Sequence, residues 1–158
     1  MAIDKVKEYF KQFGIEKCIK EFDVSSATVE LAAAALNCEE KRIAKTLSFS
    51  LDEKTILIVT AGDVKIDNSK YRALFGKKAK MLSFDEVEPL VGHAVGGVCP
   101  FAVNGGVEVF LDESLKRFDT VFPACGSGNS AIELSCDELE KYCSNFVGWI
   151  DVCRPKEA

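Results

Sequence analysis

The sequence predicts an α/β domain built on a mixed sheet with helices packed around it. Helical segments and β-rich runs alternate irregularly along the 158 residues. Two of the apolar runs, 45–51 and 55–61, are joined by Asp52-Glu53-Lys54, the signature of an antiparallel hairpin. No repeat, low-complexity stretch or linker divides the chain. The hairpin argues against a regular parallel doubly wound sheet, and the lack of a linker predicts a single domain over 1–158.

The elements follow in order. Val6, Phe10 and Phe13 share one face of a helix over 3–13, and Gly14 supplies its C-cap. A short strand is expected at 19–22. Ser25, Ser26 or Thr28 caps an alanine-rich helix that runs to Leu36 and ends at Asn37. After the hairpin, a helix over 67–75 stops at Gly76, and residues 79–82 form a short strand. Ser83-x-x-Glu86 and Ser135-x-x-Glu138 are capping boxes; the first helix stops near Gly92 and the second runs through Cys143. Strands are expected at 107–111, 120–122, 131–134 and 147–152, and residues 154–158 are expected to fray.

Composition narrows the function classes. Hydrophobic residues make up 47% and charged residues 28%, the balance of a soluble globular chain rather than a disordered one. No apolar run approaches the roughly 20 residues of a membrane helix. The N-terminus lacks a basic segment followed by an apolar one, so a cytosolic protein without a secretory leader is expected. Seven cysteines form no Cys-x-x-Cys pair and His93 is the one histidine, so neither a metal nor a cofactor is expected. The net charge of −5 weighs against a nucleic-acid partner, which needs cations for its phosphates. Yet Lys70, Arg72, Lys77, Lys78 and Lys80 face only Asp67 within 65–80, and Lys41, Arg42 and Lys45 form a second cluster. By charge alone, a local basic face and ordinary solvated lysines are equal readings.

Packing leaves three segments unexplained. In 92–101, Gly92, Gly96 and Gly97 allow close approach of backbone to a ligand, and Pro100 stiffens the exit. In 124–130, Gly126, Ser127, Gly128, Asn129 and Ser130 suit a ligand rim or a flexible hairpin. Lys45 opens an apolar strand, where it either meets a phosphate or ester in a cleft or is simply solvated.

Ile43-Ala44-Lys45-Thr46-Leu47, the stretch from Val91-Gly92-His93 through Gly96-Gly97-Val98-Cys99-Pro100-Phe101, and Gly126-Ser127-Gly128-Asn129-Ser130-Ala131-Ile132-Glu133-Leu134 closely resemble the YbaK/EbsC family. That family includes the editing domain inserted in bacterial prolyl-tRNA synthetase. The resemblance spans nearly the whole chain, and the length matches a free-standing member. It implies a compact α/β fold with a mixed, partly barrel-like sheet and flanking helices. It implies an aminoacyl-tRNA deacylase that acts on the acceptor end of mischarged tRNA, often alanine or cysteine on tRNA for proline. Prolyl-tRNA synthetase is an implied partner. Lys45 matches the lysine thought to hold the tRNA end near its phosphate. The Gly96 to Pro100 loop, with Gly97, Val98 and Cys99, matches the turn that positions the carbonyl or ribose, and Gly126 to Ser130 match the wall of the amino-acid pocket. Thr46 and His93 are counted among the substrate contacts. Alanine-specific relatives usually carry Asn where Thr46 stands, and cysteine-specific relatives carry Asp where Ala131 stands, so the edited amino acid stays open.

An aminoacyl ester is already activated, so positioning and oxyanion donors do most of the work. Gly96 and Gly97 amides would supply the donors, and the resemblance implies that the substrate's own ribose hydroxyl helps to orient the water. Two alternatives remain at this stage. One is a thiol enzyme in which Cys99 or Cys125 pairs with His93. The other is a binding module for tRNA or synthetase without catalysis. His93 is also read as a helix-end residue bonded to a carbonyl, and Trp149 as packing.

Overall fold

The 45–61 hairpin is the centre of the sheet. In the computed structural model, which describes residues 2–156, β2 (Ile43–Leu51) and β3 (Lys54–Ala61) pair antiparallel without interruption from Ala44↔Ala61 to Leu51↔Lys54. Asp52 makes the turn with φ 56°, a left-handed conformation its short polar side chain tolerates. Ile56, Leu57, Ile58 and Val59 of β3 are all fully buried, because this strand has neighbours on both edges and cover on both faces. β5 (Glu108–Asp112) runs parallel to β3, β8 (Phe146–Ile150) parallel to β5, and β6 (Phe122–Pro123) parallel to β2. The order β6-β2-β3-β5-β8 is a mixed sheet, curled toward a half-barrel.

The helices start and stop at the local signals. α1 (Ala2–Lys11) buries Ile3, Val6 and Phe10, and the Phe10 ring meets Phe101 at 4.8 Å between centroids. Thr28 caps α2 (Val29–Leu36) by accepting from the Leu31 amide at 3.1 Å, and Asn37 closes it with φ 55°. Asp67 caps α3 (Asn68–Phe75), and Gly76 ends it. Both capping boxes form: Glu86 takes the Ser83 amide ahead of α4 (Phe84–Val91), and Glu138 takes the Ser135 amide ahead of α5 (Cys136–Tyr142).

Two expectations are corrected. Arg154 and Pro155 do not fray: β9 (Cys153–Pro155) pairs with β4 (Val64–Ile66), a strand that local sequence gives no sign of. Glu157 and Ala158, also expected to fray, lie outside the described residues. Residues 79–82 make only a bridge, with Met81 opposite Phe49. The strands expected at 19–22 and 131–134 shrink: β1 (Lys20–Glu21) pairs with β7 (Ser130–Ala131), and Leu134 only bridges Val121. Asp112 organises the β9 end. It is buried at the end of β5, where Oδ1 accepts from the Val152 amide and Oδ2 from the Ser114 amide, both at 2.9 Å.

The two glycine-rich loops are built against each other. A Cβ on Gly97 would lie 2.7 Å from the backbone of both Gly126 and Ser127, so only glycine lets the loops touch. The 124–130 loop is no flexible hairpin. Phe22 and Ser26 amides donate to the Asn129 and Gly128 carbonyls at 2.8 and 2.7 Å, and Asn129 Nδ2 returns a bond to the Phe22 carbonyl.

Two stability predictions follow from this packing. Asp112→Ala leaves the buried Val152 amide and the partly buried Ser114 amide without their acceptor and is expected to lower the unfolding free energy by about 2–3 kcal/mol in urea titrations. Gly97→Ala wedges a methyl between two backbones and is expected to lower it by roughly 1–3 kcal/mol. Gly105→Ala, where a Cβ meets nothing within 4 Å, serves as the control and is expected to leave the midpoint unchanged. Equal midpoints for the Gly97 and Gly105 variants would contradict the loop packing.

Candidate functional site

β2 has one edge covered along its length by β3 and another covered only at its ends. At one end β6 pairs with Ile43 and Ala44. At the other, the Ser50 amide donates to the Lys80 carbonyl at 2.8 Å and the Leu82 amide to the Ser48 carbonyl at 3.1 Å. These two bonds also fix the alternation of the strand. Ser48 and Ser50 turn their backbone groups away from β3, and so does Thr46, two residues earlier. Among the described residues, the Thr46 amide and carbonyl meet no partner. The Thr46 hydroxyl is buried without a partner as well. Unpaired strand edges are normally covered. This one opens on a cavity of about 400 Å³.

The cavity fills the break in the edge. Ile43 to Ser48 form one wall, Phe122 and Ala124 close one end, and Met81 and Leu82 close the other. Ser26, Ala27 and Thr28 bring in the start of α2, and Val95, Gly96 and Val98 bring in the first glycine loop. Ser130 and Ala131 complete it. Ala27 is the junction: a Cβ on Gly96 would stand 3.4 Å from the Ala27 Cβ, and one on Gly128 would stand 3.5 Å from it. The side chains around the chamber are mostly alanine, valine and other small groups, which leaves room beside a strand edge.

Lys45 lines this cavity, but its ammonium is not loose in it. It donates to the Val64 carbonyl. That carbonyl is available because Asp63 and Asp67 make the bonds to Lys156 and Val152, and Val64, between them in the alternation, faces away from β9. Burial, and then the positive charge of Lys156, lower the Lys45 pKa from 10.5 to about 8.

Of the other expected site residues, Thr46, Gly96, Val98 and Ser130 line the cavity. Gly96 has φ 96°, and among the described residues its amide donates to no protein acceptor. The remainder stand behind the wall. The Gly97 amide is spent on the Ala94 carbonyl at 3.0 Å, which corrects its expected place as an oxyanion donor. Gly126, Ser127, Gly128 and Asn129 are not lining residues; they are held against residues 22–26 and against Gly97, and they shape the cavity through Ala27 and Ser130. Cys99 and Pro100 also lie outside the lining, and the Pro100 carbonyl accepts from the Ser144 amide.

His93 is wholly buried, and its expected substrate contact is corrected. Nε2 lies 2.7 Å from the Phe101 carbonyl, which only accepts, so Nε2 carries the proton. Burial lowers the His93 pKa and keeps the ring neutral. Cys99 Sγ lies 3.4 Å from this same nitrogen, which therefore has no lone pair to offer the thiol, and Nδ1 is buried without a partner. Burial raises the Cys99 pKa to about 12 and raises that of Cys125 too. Nucleophilic thiols need an accessible thiolate, so the thiol-enzyme alternative loses its support.

The basic clusters divide. Lys41 and Arg42 are ion-paired with Glu39 and Glu133, Lys70 with Asp151 and Lys77 with Asp52. Arg72, Lys78 and Lys80 are exposed and form no ion pair among the described residues. Trp149 lies under Lys116 at 4.5 Å and donates to Glu140, a packing role. Sequence reasoning missed Ala27 and Phe122, which carry no chemical signature, and Met81 and Phe84, which read as ordinary strand and helix residues; Ala124 lay inside the flagged 124–130 segment without being singled out.

Residues 23–142 match the family described as the aminoacyl-tRNA editing domain. The uncharacterized protein YwhH of Bacillus subtilis (strain 168) is 53% identical over 158 residues, covering 99% of this chain and 100% of that one. A proline–tRNA ligase of Bacillus cereus (strain AH187) is 25% identical over 126 residues, 78% of this chain, which spans only 22% of the ligase. A crystal structure of a candidate trans-editing enzyme for prolyl tRNA synthetase superposes with a TM-score of 0.83 at 26% identity, covering 99% of this chain and 98% of the other. With the family model matched over most of its length, the chain belongs to the aminoacyl-tRNA editing domain family.

Proposed function

We propose that the chain is a trans-acting aminoacyl-tRNA deacylase that hydrolyses the ester of tRNA for proline carrying a small wrong amino acid such as alanine or cysteine. The observation that carries this reading is the break in the β2 edge at Thr46, open to a small chamber that Lys45 and Gly96 also line. The aminoacyl group lies along the edge as a short added strand would. The Thr46 carbonyl takes the α-ammonium of the substrate, and the free Gly96 amide meets the oxygen on which charge develops. Water adds to the carbonyl carbon, the bond to the ribose oxygen breaks, and the ribose oxygen leaves with a proton. The products are a free amino acid and uncharged tRNA. The reading needs no side-chain nucleophile, in keeping with thiols that burial holds protonated.

Lys45 supplies the charge for a phosphate at the mouth. Its bond to the Val64 carbonyl holds it ready, and exchange of a neutral acceptor for an anionic one favours the bound state. The small side chains of Ala32, Ala44 and Ala131 limit which amino acid enters. A methylene of difference in such a pocket is worth only about 10–200-fold, the gap a separate editing step serves to widen. The chain's relation to proline–tRNA ligase favours a synthetase as partner, and such a role belongs in the cytoplasm. Among the described residues no helix is long and apolar enough to cross a membrane.

The test is incubation of the purified chain with tRNA for proline charged with alanine, cysteine, serine or proline. Release of one small amino acid and sparing of proline is expected, with kcat/KM falling about 10–100-fold in Lys45→Ala while far-UV circular dichroism is unchanged. No release from any of them contradicts the reading. The pH profile is a second check. A lysine with a lowered pKa is charged below that value and neutral above it, so the enzymatic rate, corrected for spontaneous ester hydrolysis, is expected to fall as pH rises through about 8. Lys45→Arg is expected to reduce that fall to the part set by the substrate's own α-ammonium, because guanidinium stays charged throughout.

A further inference from the structure

The cavity has an apolar lip that its chemistry does not explain. Phe84 and Met81 both line it, yet they are 77% and 56% exposed. Val95, 52% exposed, stands on the lip from the first glycine loop. Phe84 is the first residue of α4, three before buried Val87, so both sit on the helix face that meets the cavity. The lip is also anchored. The Ser83 capping box fixes the helix start, and the bonds of Ser50 and Ser48 to Lys80 and Leu82 fix the chain on either side of Met81. An aromatic ring in water on a rigid mount costs little entropy when it receives a flat partner.

The charge next to it says what the partner is. From Arg72 to Lys80 the chain carries Arg72, Lys77, Lys78 and Lys80 and no carboxylate, on a protein of net charge −5. Arg72, Lys78 and Lys80 form no ion pair among the described residues. The carboxylates that follow, Asp85, Glu86 and Glu88, belong to α4; Glu86 is turned back onto the Ser83 amide and also feels the Lys80 charge. Lys80, which precedes Met81 in the chain, and Lys78 bring positive charge to the lip, and such charge with an exposed ring matches the alternation of phosphate and flat base in single-stranded nucleic acid.

We infer that the ring of Phe84, backed by Met81, stacks on the terminal nucleobase of the acceptor end, while Lys78 and Lys80 meet the phosphates behind it. This rests on the deacylase reading above, because it places the base next to the chamber that takes the aminoacyl group. Phe84 is then a positioning residue for the ester, and it secures a feature shared by every tRNA instead of selecting one of them.

Two acceptor-stem RNA hairpins serve as probes, uncharged and identical except that one ends in single-stranded CCA and the other in CC. Wild-type chain is expected to bind the CCA hairpin about 5–50-fold more tightly, the range for one stacked base. Phe84→Ala and Phe84→Leu are expected to bind both hairpins equally, because leucine keeps apolar area but lacks the flat face. Phe84→Trp is expected to keep the preference, with its emission quenched by CCA beyond the response of Trp149 alone. Lys78→Ala with Lys80→Ala is expected to weaken both hairpins alike and to flatten the salt dependence. On charged tRNA, Phe84→Ala is expected to raise KM with little change in kcat. An unchanged CCA preference in Phe84→Ala overturns the inference. So does a wild-type chain that self-associates in sedimentation and becomes monomeric in Phe84→Ala, since the lip would then serve a second copy. The two readings separate cleanly. CCA preference lost in Phe84→Ala, with no hydrolysis by wild type, sinks the deacylase reading and keeps the stacking; hydrolysis without CCA preference does the reverse.

Discussion

The structure turns on a strand edge left open where it is least expected. β2 lies next to the fully buried central strand β3, a position where both edges of a strand are normally used. Its outer edge is closed by β6 at Ala44 and by the chain near Lys80 at Ser48 and Ser50, and Thr46 sits between them with its amide and carbonyl unpaired among the described residues. The two closures stand apart because each is short, and the gap between them opens on the cavity of about 400 Å³. Everything else near the site serves to keep that gap open: small side chains around it, two loops locked together behind it, and a capped helix at its mouth.

This arrangement assigns different tasks to residues that look alike in sequence. Gly96 and Gly97 are neighbours, but among the described residues one amide meets no acceptor and the other closes a turn. Gly97 is required by the backbone of Gly126, a matter of loop packing, whereas Gly96 borders the chamber. His93 and Cys99 form a close pair that resembles a catalytic dyad by distance alone. The proton on Nε2 and the burial of both groups make it a structural contact that ties the first glycine loop to Phe101.

What could be read in the sequence was what local chemistry decides. The hairpin, the capping boxes at Ser83 and Ser135, the Asn37 and Gly76 stops, and the location of Lys45 and Gly96 all depend on residues a few positions apart. The β4–β9 pairing was not legible, because it joins Val64 to Pro155 across most of the chain in a ladder of three residues. The open edge at Thr46 was illegible for the same reason. It exists only because residues near Lys80 and Phe122 land on either side of it, and neither segment carries a sign of doing so. The Val64 carbonyl that holds the Lys45 ammonium depends in turn on that unread pairing. Phe84 was hidden differently: a phenylalanine at a helix start reads as core, and only its exposure beside the cavity gives it a surface role.

The most direct measurement of the central claim is a crystal structure of the chain with a non-hydrolysable 3′-alanylamide of adenosine. The account predicts the alanyl amide seated between residues 80–82 and Phe122, within hydrogen-bond distance of the Thr46 backbone. An amide bound elsewhere, or a β2 edge closed by new strand pairing at Thr46, would contradict it.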